Sequence, residues 1–201
     1  MTRSGRAGKP ILRLTTLHID KEAHKFSAAH YTIFSATERE RLHGHNYSVS
    51  ARIVAPMGNN GFAADYNVYK RRIASLCNSL DEYLLLAGES PYQTILDEGD
   101  NYRVKFNEED MRFLKSDTLV LPISNATVEE FSYYLLQQLL EASAGDELEE
   151  LGAADLDLEL VEQVDLFGIH FIRICGQALV VRRGPYAGPG REESWWQGRS
   201  C

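Results

Sequence analysis

Two histidines near the start of an alternating run could act together on a metal ion. The stretch RLHGHNYSVSARIV places His43 and His45 one residue apart, and apolar side chains follow at every second position. Alternate residues of a strand point to opposite faces, so both histidines share the apolar face with Tyr47 and Val49. Imidazoles at the end of a buried face must either hydrogen-bond within the core or bind something.

A third histidine favours the metal. In FSAAH, His30 has the parity of Phe26 and Ala28 in the preceding extended segment. If the two extended segments are neighbouring strands, they could bring the imidazoles of His30, His43 and His45 together. Three neutral histidines with one open position are the ligand set of a catalytic zinc ion, whereas structural zinc usually has four protein ligands rich in cysteine. We predict Zn²⁺ at His30, His43 and His45.

The remaining histidines and the cysteines give no comparable cluster. His18, His24 and His170 have no such partner and are interpreted as surface or core residues. The three cysteines are an odd number without close spacing, which argues against a disulfide framework and a thiolate metal site. Cys77 lies on a helical apolar stripe and is interpreted as a core residue.

One carboxylate falls on a predicted buried face. In LDLELVEQ, Glu162 has the parity of Leu156, Leu158 and Leu160, so it should lie on the apolar face of a strand and need a partner. The alternative is that the strand ends at Leu160 and Glu162 is exposed.

Other acidic residues have ordinary explanations when each is taken alone. Glu129 lies in the first turn of a predicted helix, where a negative charge is favourable. Asp81 and Glu82 follow a helix end. Glu40 stands three residues before His43, where a folded loop could bring it to a metal-bound ligand, but it also belongs to the charge run ERER.

The elements that must position these residues form an α+β plan. Extended patterns come first, then a helix from Tyr66 to about Leu80 with Asp65 as N-cap, then a hairpin turning at 98–100. A second helix begins near Thr127, and further strands follow. We expect an antiparallel sheet covered on one face by two helices, and oligomerisation over the other face.

Length and charge restrict the class of protein. The chain has 201 residues and a formal net charge of -8, which indicates one domain and argues against a nucleic-acid partner. The basic opening lacks the apolar segment of a signal peptide, and no run approaches the roughly 20 apolar residues of a spanning helix. We therefore expect a soluble cytoplasmic protein with no membrane partner.

Six motifs resemble one enzyme family when taken together. They are FSAAH, RLHGHNYSV, ADYNVYK, SLDEYLLL, LPISNATVEEF and LVEQ. Their order and spacing, over about residues 11–175, resemble the 6-pyruvoyl-tetrahydropterin synthase family, which includes the queuosine-pathway carboxytetrahydropterin synthases. The expected domain is 11–182, and 183–201 is expected to be a flexible tail.

The resemblance implies a fold, a cofactor and two substrate anchors. The family has a T-fold, whose subunits join their sheets into a barrel, commonly a homohexamer of two trimers with active sites at the interfaces. Its three zinc histidines map onto His30, His43 and His45. Its pterin-binding glutamates map onto Glu129, in a T-x-E helix start with Thr127, and onto Glu162. A carboxylate can accept two parallel N–H bonds from the amidine-like edge of a pterin.

The sequence departs from the family pattern at two positions. The family's catalytic cysteine precedes H-G-H, and ATERERLHGH contains none. The usual Asp-His pair reads Asp81 and Glu82 here, so the relay histidine is absent. One branch of the family carries glutamate in place of the cysteine, and Glu40 matches that position.

That branch supplies the leading hypothesis. It cleaves the side chain of 7,8-dihydroneopterin triphosphate to give 6-hydroxymethyl-7,8-dihydropterin, a folate precursor. The catalytic set would be Glu40 with Asp81 and Glu82. Three alternatives remain: a 6-carboxy- or 6-pyruvoyl-tetrahydropterin synthase that uses other bases, a catalytically silent pterin- or metal-binding homologue, and a purely structural oligomeric domain. Retention of the three histidines and both anchors argues against the last.

Overall fold

The computed structural model describes residues 13–63 and 65–141, together with the backbone of 155–163 and 174–178. These described residues contain two helices, α1 (Tyr66–Leu80) and α2 (Val128–Glu141), with a short 3₁₀ turn at Lys115–Asp117. The strands are β1 (Leu14–His30), β2 (His43–Pro56), β3 (Tyr83–Ala87), β4 (Gln93–Glu98), β5 (Asn101–Phe106), β6 (Glu109–Leu114), β7 (Thr118–Leu121), β8 (Asp155–Gln163) and β9 (Ile174–Ala178).

The first two strands form the hairpin that carries the histidines. β1 and β2 pair antiparallel from Leu14 opposite Pro56 to His30 opposite His43. Two extended patterns, ILRLTTLHI and KFSAAHYTIF, are separated by a charged break and predict two strands, whereas β1 is one strand whose register shifts between Asp20 and Lys25. The polar break is therefore a β-bulge, which interrupts pairing locally without ending the strand.

Both predicted helices cover one face of the main sheet. Asp65 caps α1 by accepting a hydrogen bond from the Asn67 amide at 3.0 Å. In α2, Phe131, Leu135 and Leu139 form a helical stripe that is fully buried. These side chains form a core with the apolar face of β1 and β2, and this core also contains Tyr47, Val49, Ala51, Ile53, Tyr69, Ile73 and Cys77. The alternating pattern of β2 and the core position of Cys77 are confirmed.

The main sheet is mixed, which corrects the expectation of an antiparallel sheet. Its six strands follow the order β7-β3-β1-β2-β8-β9. β3 pairs parallel with β1 and with β7, while β1, β2, β8 and β9 pair antiparallel. A short apolar run such as YLLLA does not alternate, so its sequence does not indicate which strands pair with it. A parallel partner is also not joined to it by a tight turn, so chain order does not indicate the pairing either.

A second, three-stranded sheet covers part of the other face. Its order is β4-β5-β6, and the predicted hairpin turns at Gly99, whose φ is +71°. Its buried residues Val104 and Phe106 pack with Leu84 and Leu86 of β3. This small sheet, defined as residues 93–114, also contacts the segment that joins β1 to β2. Part of the face that was expected to meet another subunit is therefore covered within the chain.

Several sequence-based expectations fall outside the described residues. They concern the basic opening, the acidic stretch after α2, His170 and the tail 183–201. Neither described helix is long and apolar enough to cross a bilayer.

Candidate active site

The three predicted metal ligands lie together at one end of the β1–β2 hairpin. His30 pairs directly with His43, and His45 lies opposite Ala28. The ring centroid of His30 lies 4.7 Å from that of His43 and 5.3 Å from that of His45. The centroids of His43 and His45 are 4.6 Å apart. One nitrogen from each ring falls within 4.8 Å of the others, so the cluster could hold a metal ion.

Backbone carbonyls orient two of the rings. His30 Nδ1 donates to the Ala126 carbonyl at 2.7 Å, and His43 Nδ1 donates to the Arg41 carbonyl at 2.7 Å. Since a carbonyl can only accept, Nδ1 carries the proton in both rings and Nε2 keeps its lone pair when the ring is neutral. Burial lowers the pKa of His30 and so favours the neutral ring.

An unpaired nitrogen supports the fit to a metal. His30 Nε2 is buried and has no hydrogen-bond partner among the described residues. A buried polar atom without a partner is costly, and a metal ion would satisfy it. His43 and His45 are half-buried, which leaves one side of the cluster open, as expected for a catalytic rather than a closed structural site.

Asn125 braces the carbonyl that orients His30. Its Oδ1 accepts from the amides of Ile33 and Ala126, both at 3.0 Å, and its Nδ2 donates to the Ile33 carbonyl at 2.8 Å. The sequence analysis missed this residue. An asparagine before a helix is typical of a turn. The neighbouring sequence does not indicate that Asn125 bonds to Ile33, three residues after the end of β1.

We expect Asn125→Ala to weaken zinc binding by roughly tenfold, the lower end of the range for outer partners of a metal ligand. The substitution removes three hydrogen bonds that fix the loop under His30. Asn125→Asp keeps the acceptor oxygen and should lose less. Chelator competition measures the affinity. Asn60→Ala is the control, because Asn60 also accepts a backbone hydrogen bond, from Phe62, but in another loop. Equal affinities in all variants would contradict this role.

Glu40 lies beside the histidine cluster and is held by the neighbouring chain. Its Oε2 accepts from the Thr32 amide at 3.0 Å, and its own amide donates to the Thr32 carbonyl at 2.8 Å. Burial raises the pKa of Glu40, but the hydrogen bonds with Thr32 and the charges of His43 and His30 outweigh it, so the pKa is lowered overall. Glu40 is therefore an ionised carboxylate within electrostatic reach of two of the three rings.

The Asp81–Glu82 pair occupies the turn between α1 and β3. Asp81 Oδ1 accepts from the Ser27 amide at 2.7 Å, so its carboxylate helps to tie this turn to β1. Glu82 adopts a φ of +64°, a left-handed conformation that is uncommon for a residue with a side chain. Its amide donates to the Ser27 carbonyl at 2.7 Å, which holds the turn in place.

The two acids line different cavities, and Glu82 shares its cavity with a predicted metal ligand. Glu82, His45 and Asp117 line an open cavity of about 370 Å³. Asp81 instead lines a separate cavity of about 300 Å³ with Lys25, Ser27 and Asn46. The sequence analysis missed Asp117, which lies in the 3₁₀ turn before β7 and carries no motif of its own.

The predicted anchors lie on two elements next to the site. Thr127 precedes α2, and its Oγ1 accepts from the Glu130 amide at 3.4 Å. The second half of a capping box is not formed, because the Glu130 carboxylate accepts from Ser124 Oγ at 2.8 Å. Glu129 is exposed in the first turn of α2.

Glu162 lies in β8 opposite Tyr47, a residue of the histidine-bearing strand. The strand extends beyond Leu160 to Gln163, so the alternative in which it ends at Leu160 is wrong. The side chain of Glu162 lies outside the described residues, and its contact with a pterin stays a prediction.

Solved structures share this fold. A 6-pyruvoyl tetrahydropterin synthase from Plasmodium vivax superposes with a TM-score of 0.72 at 24% identity, over 83% of this chain and 99% of that one. A Plasmodium falciparum protein of the same name gives a TM-score of 0.68 at 25% identity, over 74% of this chain and 91% of that one. The sheet-and-helix arrangement is therefore that of these enzymes.

Sequence comparison identifies the family. A Methanocaldococcus jannaschii protein with the provisional name 6-carboxy-5,6,7,8-tetrahydropterin synthase is 25% identical over 150 residues, which are 73% of this chain and 85% of that protein. The family profile described as 6-pyruvoyl tetrahydropterin synthase matches residues 18–158, more than half of the chain and all three clustered histidines. The chain belongs to the 6-pyruvoyl tetrahydropterin synthase family.

Proposed function

We propose that the protein is a zinc-dependent pterin lyase that converts 7,8-dihydroneopterin triphosphate to 6-hydroxymethyl-7,8-dihydropterin. The observation that carries this proposal is the position of Glu40, an ionised carboxylate held by Thr32 beside the histidine cluster. Cysteine, the family's usual nucleophile or base before H-G-H, is absent from this segment, so a glutamate base accounts for the chemistry without it.

His30, His43 and His45 would hold the zinc ion. A zinc ion bound by three imidazoles supplies a Lewis acid that polarises oxygen atoms next to it. The carbonyls of Ala126 and Arg41 keep two of the rings in the ligand tautomer. The apolar ring of Phe131, 5.8 Å from His30, excludes water from the buried side of the cluster.

Glu40 would act as the general base. Its carboxylate would take the proton of the second side-chain hydroxyl while the bond between the first and second side-chain carbons breaks. The second carbon leaves as an aldehyde that carries the triphosphate, and the electron pair of the bond passes to the first carbon and is delocalised into the pterin ring. The lowered pKa keeps the Glu40 carboxylate ionised at neutral pH, so it carries no proton before the reaction. The first side-chain carbon, which stays on the ring and becomes the hydroxymethyl group, then needs a proton. We assign its return to Glu82, which shares a cleft with His45, while Asp81 positions the turn through Ser27.

Glu129 and Glu162 would fix the pterin ring, with Thr127 at the start of the helix that carries Glu129. Their carboxylates can each accept paired N–H bonds from the ring's amidine-like edge, which sets the orientation of the reacting side chain. The register of Glu162 opposite Tyr47 supports this assignment, because Tyr47 follows His45 on the same face of β2.

We expect Glu162→Gln to weaken pterin binding by roughly 1.5–3 kcal/mol while leaving zinc content unchanged. The amide keeps the size of the side chain but removes the charge and one acceptor. Titration with a dihydropterin measures the loss. Glu159→Gln is a matched control, since Glu159 has the opposite parity on the same strand, opposite Ser50. Unchanged affinity in Glu162→Gln would remove Glu162 from the binding site.

A related enzyme also uses a glutamate. Two further structures of the Plasmodium vivax 6-pyruvoyltetrahydropterin synthase are of variants in which a glutamate, described as a catalytic residue, is replaced by alanine or by cysteine. A catalytic glutamate is therefore compatible with this fold, which supports the role proposed for Glu40.

The second candidate function is that of a 6-carboxy- or 6-pyruvoyl-tetrahydropterin synthase. The name of the Methanocaldococcus jannaschii relative favours it. A catalytically silent homologue is the remaining alternative. In each case we propose a cytoplasmic homohexamer of two trimers, with no nucleic-acid or membrane partner.

Product identification separates these functions. The zinc-loaded protein is incubated with 7,8-dihydroneopterin triphosphate, and the pterins are resolved and identified. We expect 6-hydroxymethyl-7,8-dihydropterin. A carboxy or pyruvoyl product would instead establish the second function, and binding without turnover would establish the silent homologue.

A further inference from the structure

Glu40 lies on a loop that is shaped by its own backbone. The Glu40 loop, residues 31–42, joins β1 to β2. Ile33 and Arg39 form an isolated β-bridge across it, and the Phe34 amide donates to the Glu38 carbonyl at 2.9 Å near its tip. These bonds hold the two limbs of the loop together. They do not by themselves fix the loop against the rest of the protein.

Arg39 connects this loop to the small sheet. Its Nε donates to Glu109 Oε2 at 2.8 Å, and its Nη2 donates to the same oxygen. Glu109 is the first residue of β6, 70 residues further along the chain. The guanidinium carbon of Arg39 also lies 4.9 Å from the ring centroid of Tyr31 and 5.8 Å from that of Phe106.

The same guanidinium holds the backbone of the proposed base. Arg39 Nη1 donates to the Glu40 carbonyl at 2.7 Å. One planar group therefore contacts the small sheet on one side and the peptide of Glu40 on the other. A lysine has a single ammonium and could not reproduce this fork of donors.

Arg39 is more buried than either arginine that forms an ion pair within the small sheet, since Arg103 is 31% exposed and Arg112 still more. The Arg39 side chain is 16% exposed, whereas Arg112, which pairs with Glu98 at 3.5 Å, is 64% exposed. Glu109 is 50% exposed, so solvent screens part of this ion pair, but the guanidinium of Arg39 is largely buried and relies on Glu109 and the Glu40 carbonyl as hydrogen-bond acceptors. The Arg39–Glu109 contact therefore links the Glu40 loop to the small sheet, and it lies next to Glu40, the proposed catalytic carboxylate.

We propose that Arg39 is a positioning residue that fixes Glu40 against the imidazole cluster by joining the Glu40 loop to the small sheet. This inference rests on the proposed function. The small sheet then contributes to the reaction indirectly. It holds Arg39 through Glu109, and Arg39 in turn holds the backbone of Glu40. A misplacement of about 1 Å can cost on the order of 10²-fold in rate.

The test compares Arg39→Met alone and in the Glu40→Gln background. Methionine keeps the apolar stem over Tyr31 and removes the guanidinium. We expect kcat with 7,8-dihydroneopterin triphosphate to fall by roughly 10–100-fold, with KM and zinc content changing little. In the Glu40→Gln protein the same substitution should cost almost nothing further, since the group that it positions no longer acts as a base. Arg39→Lys should recover only part of the loss.

Two further variants control for charge and for folding. Arg112→Met removes an equal charge from the small sheet itself, away from the Arg39–Glu109 contact, and should leave kcat unchanged. Glu109→Gln keeps Arg39 and should lower kcat by less than Arg39→Met does. In the double variant with Arg39→Met it should cause no further loss. If Arg39→Met does not fold, Glu109→Gln and Arg39→Lys carry the comparison.

The outcomes separate this inference from the proposed function. If Glu40→Gln is fully active, Glu40 is not the base and both fail. If Glu40→Gln is inactive while Arg39→Met and Glu109→Gln keep normal kcat, Glu40 remains the base and the positioning role is wrong. If Arg39→Met lowers kcat equally in both backgrounds, Arg39 acts on something other than Glu40, which also overturns the inference.

Discussion

Glu40→Gln should lower turnover by roughly 10²–10⁴-fold, the usual contribution of a positioned acid–base group, while zinc content, fold and pterin affinity remain. Glutamine keeps an oxygen that can accept the Thr32 amide, so the loop should hold its shape. It cannot take up a proton at neutral pH. Single-turnover measurement with 7,8-dihydroneopterin triphosphate reports the chemical step directly.

Glu38→Gln is the matched control for this variant. Glu38 belongs to the same charge run and is exposed at the tip of the Glu40 loop. Both substitutions remove one negative charge, so bulk electrostatics cancels in the comparison. Similar rates for the two variants would show that Glu40 is a surface charge, and the base would then have to be sought at Asp81 and Glu82.

A cysteine at this position tests whether it directs the outcome of the reaction. Glu40→Cys places a thiol near the family's usual location. A shift of product toward the pyruvoyl or carboxy type would show that this side chain selects the reaction. The same product at a lower rate would mean that selectivity is set elsewhere in the site.

The histidine cluster could be predicted from the sequence because it depends on short-range parity. A strand places His43 and His45 on the face of Tyr47 whatever its neighbours are, and His30 has the same relation to Phe26. Only the pairing of the two strands had to be assumed. The direct pairing of His30 with His43 confirms it.

The parts that could not be predicted depend on contacts between distant segments. Asn125 reaches Ile33 across 92 residues, and Arg39 reaches Glu109 across 70. A turn asparagine and one arginine within a charge run give no indication of such partners. The same limit applies to the parallel pairing of β3. Leu84 and Leu86 of this strand pack against the distant small sheet, and the strand's own sequence has no alternation of apolar and polar residues that would indicate its position.

The Asp81–Glu82 pair illustrates a third limit. Sequence spacing places both carboxylates after α1, but the left-handed backbone of Glu82 decides where each one points. Asp81 accepts from Ser27, and Glu82 lines the cleft of His45. A single φ value of this kind is set by tertiary contacts and cannot be read from residue types.

His43→Ala should abolish stoichiometric zinc binding, which we expect to be about one ion per chain in the parent protein. Removing a direct ligand leaves two imidazoles. The loss of affinity should exceed the roughly 10–100-fold that follows the loss of an outer partner. Metal analysis after reconstitution with zinc, followed by chelator competition, measures both the stoichiometry and the affinity.

His30→Ala should have the same effect for a second reason. Its Nε2 is buried without a partner among the described residues, so the unliganded ring carries a cost that metal binding removes. Burial also lowers the pKa of His30, so protons compete with the metal for this nitrogen less than they would at an exposed histidine. His18→Ala provides the control, because His18 is an exposed histidine on the same strand, distant from the cluster in register. If His30→Ala and His43→Ala retain as much zinc as His18→Ala, the ion is bound elsewhere and the assignment of the metal centre is wrong.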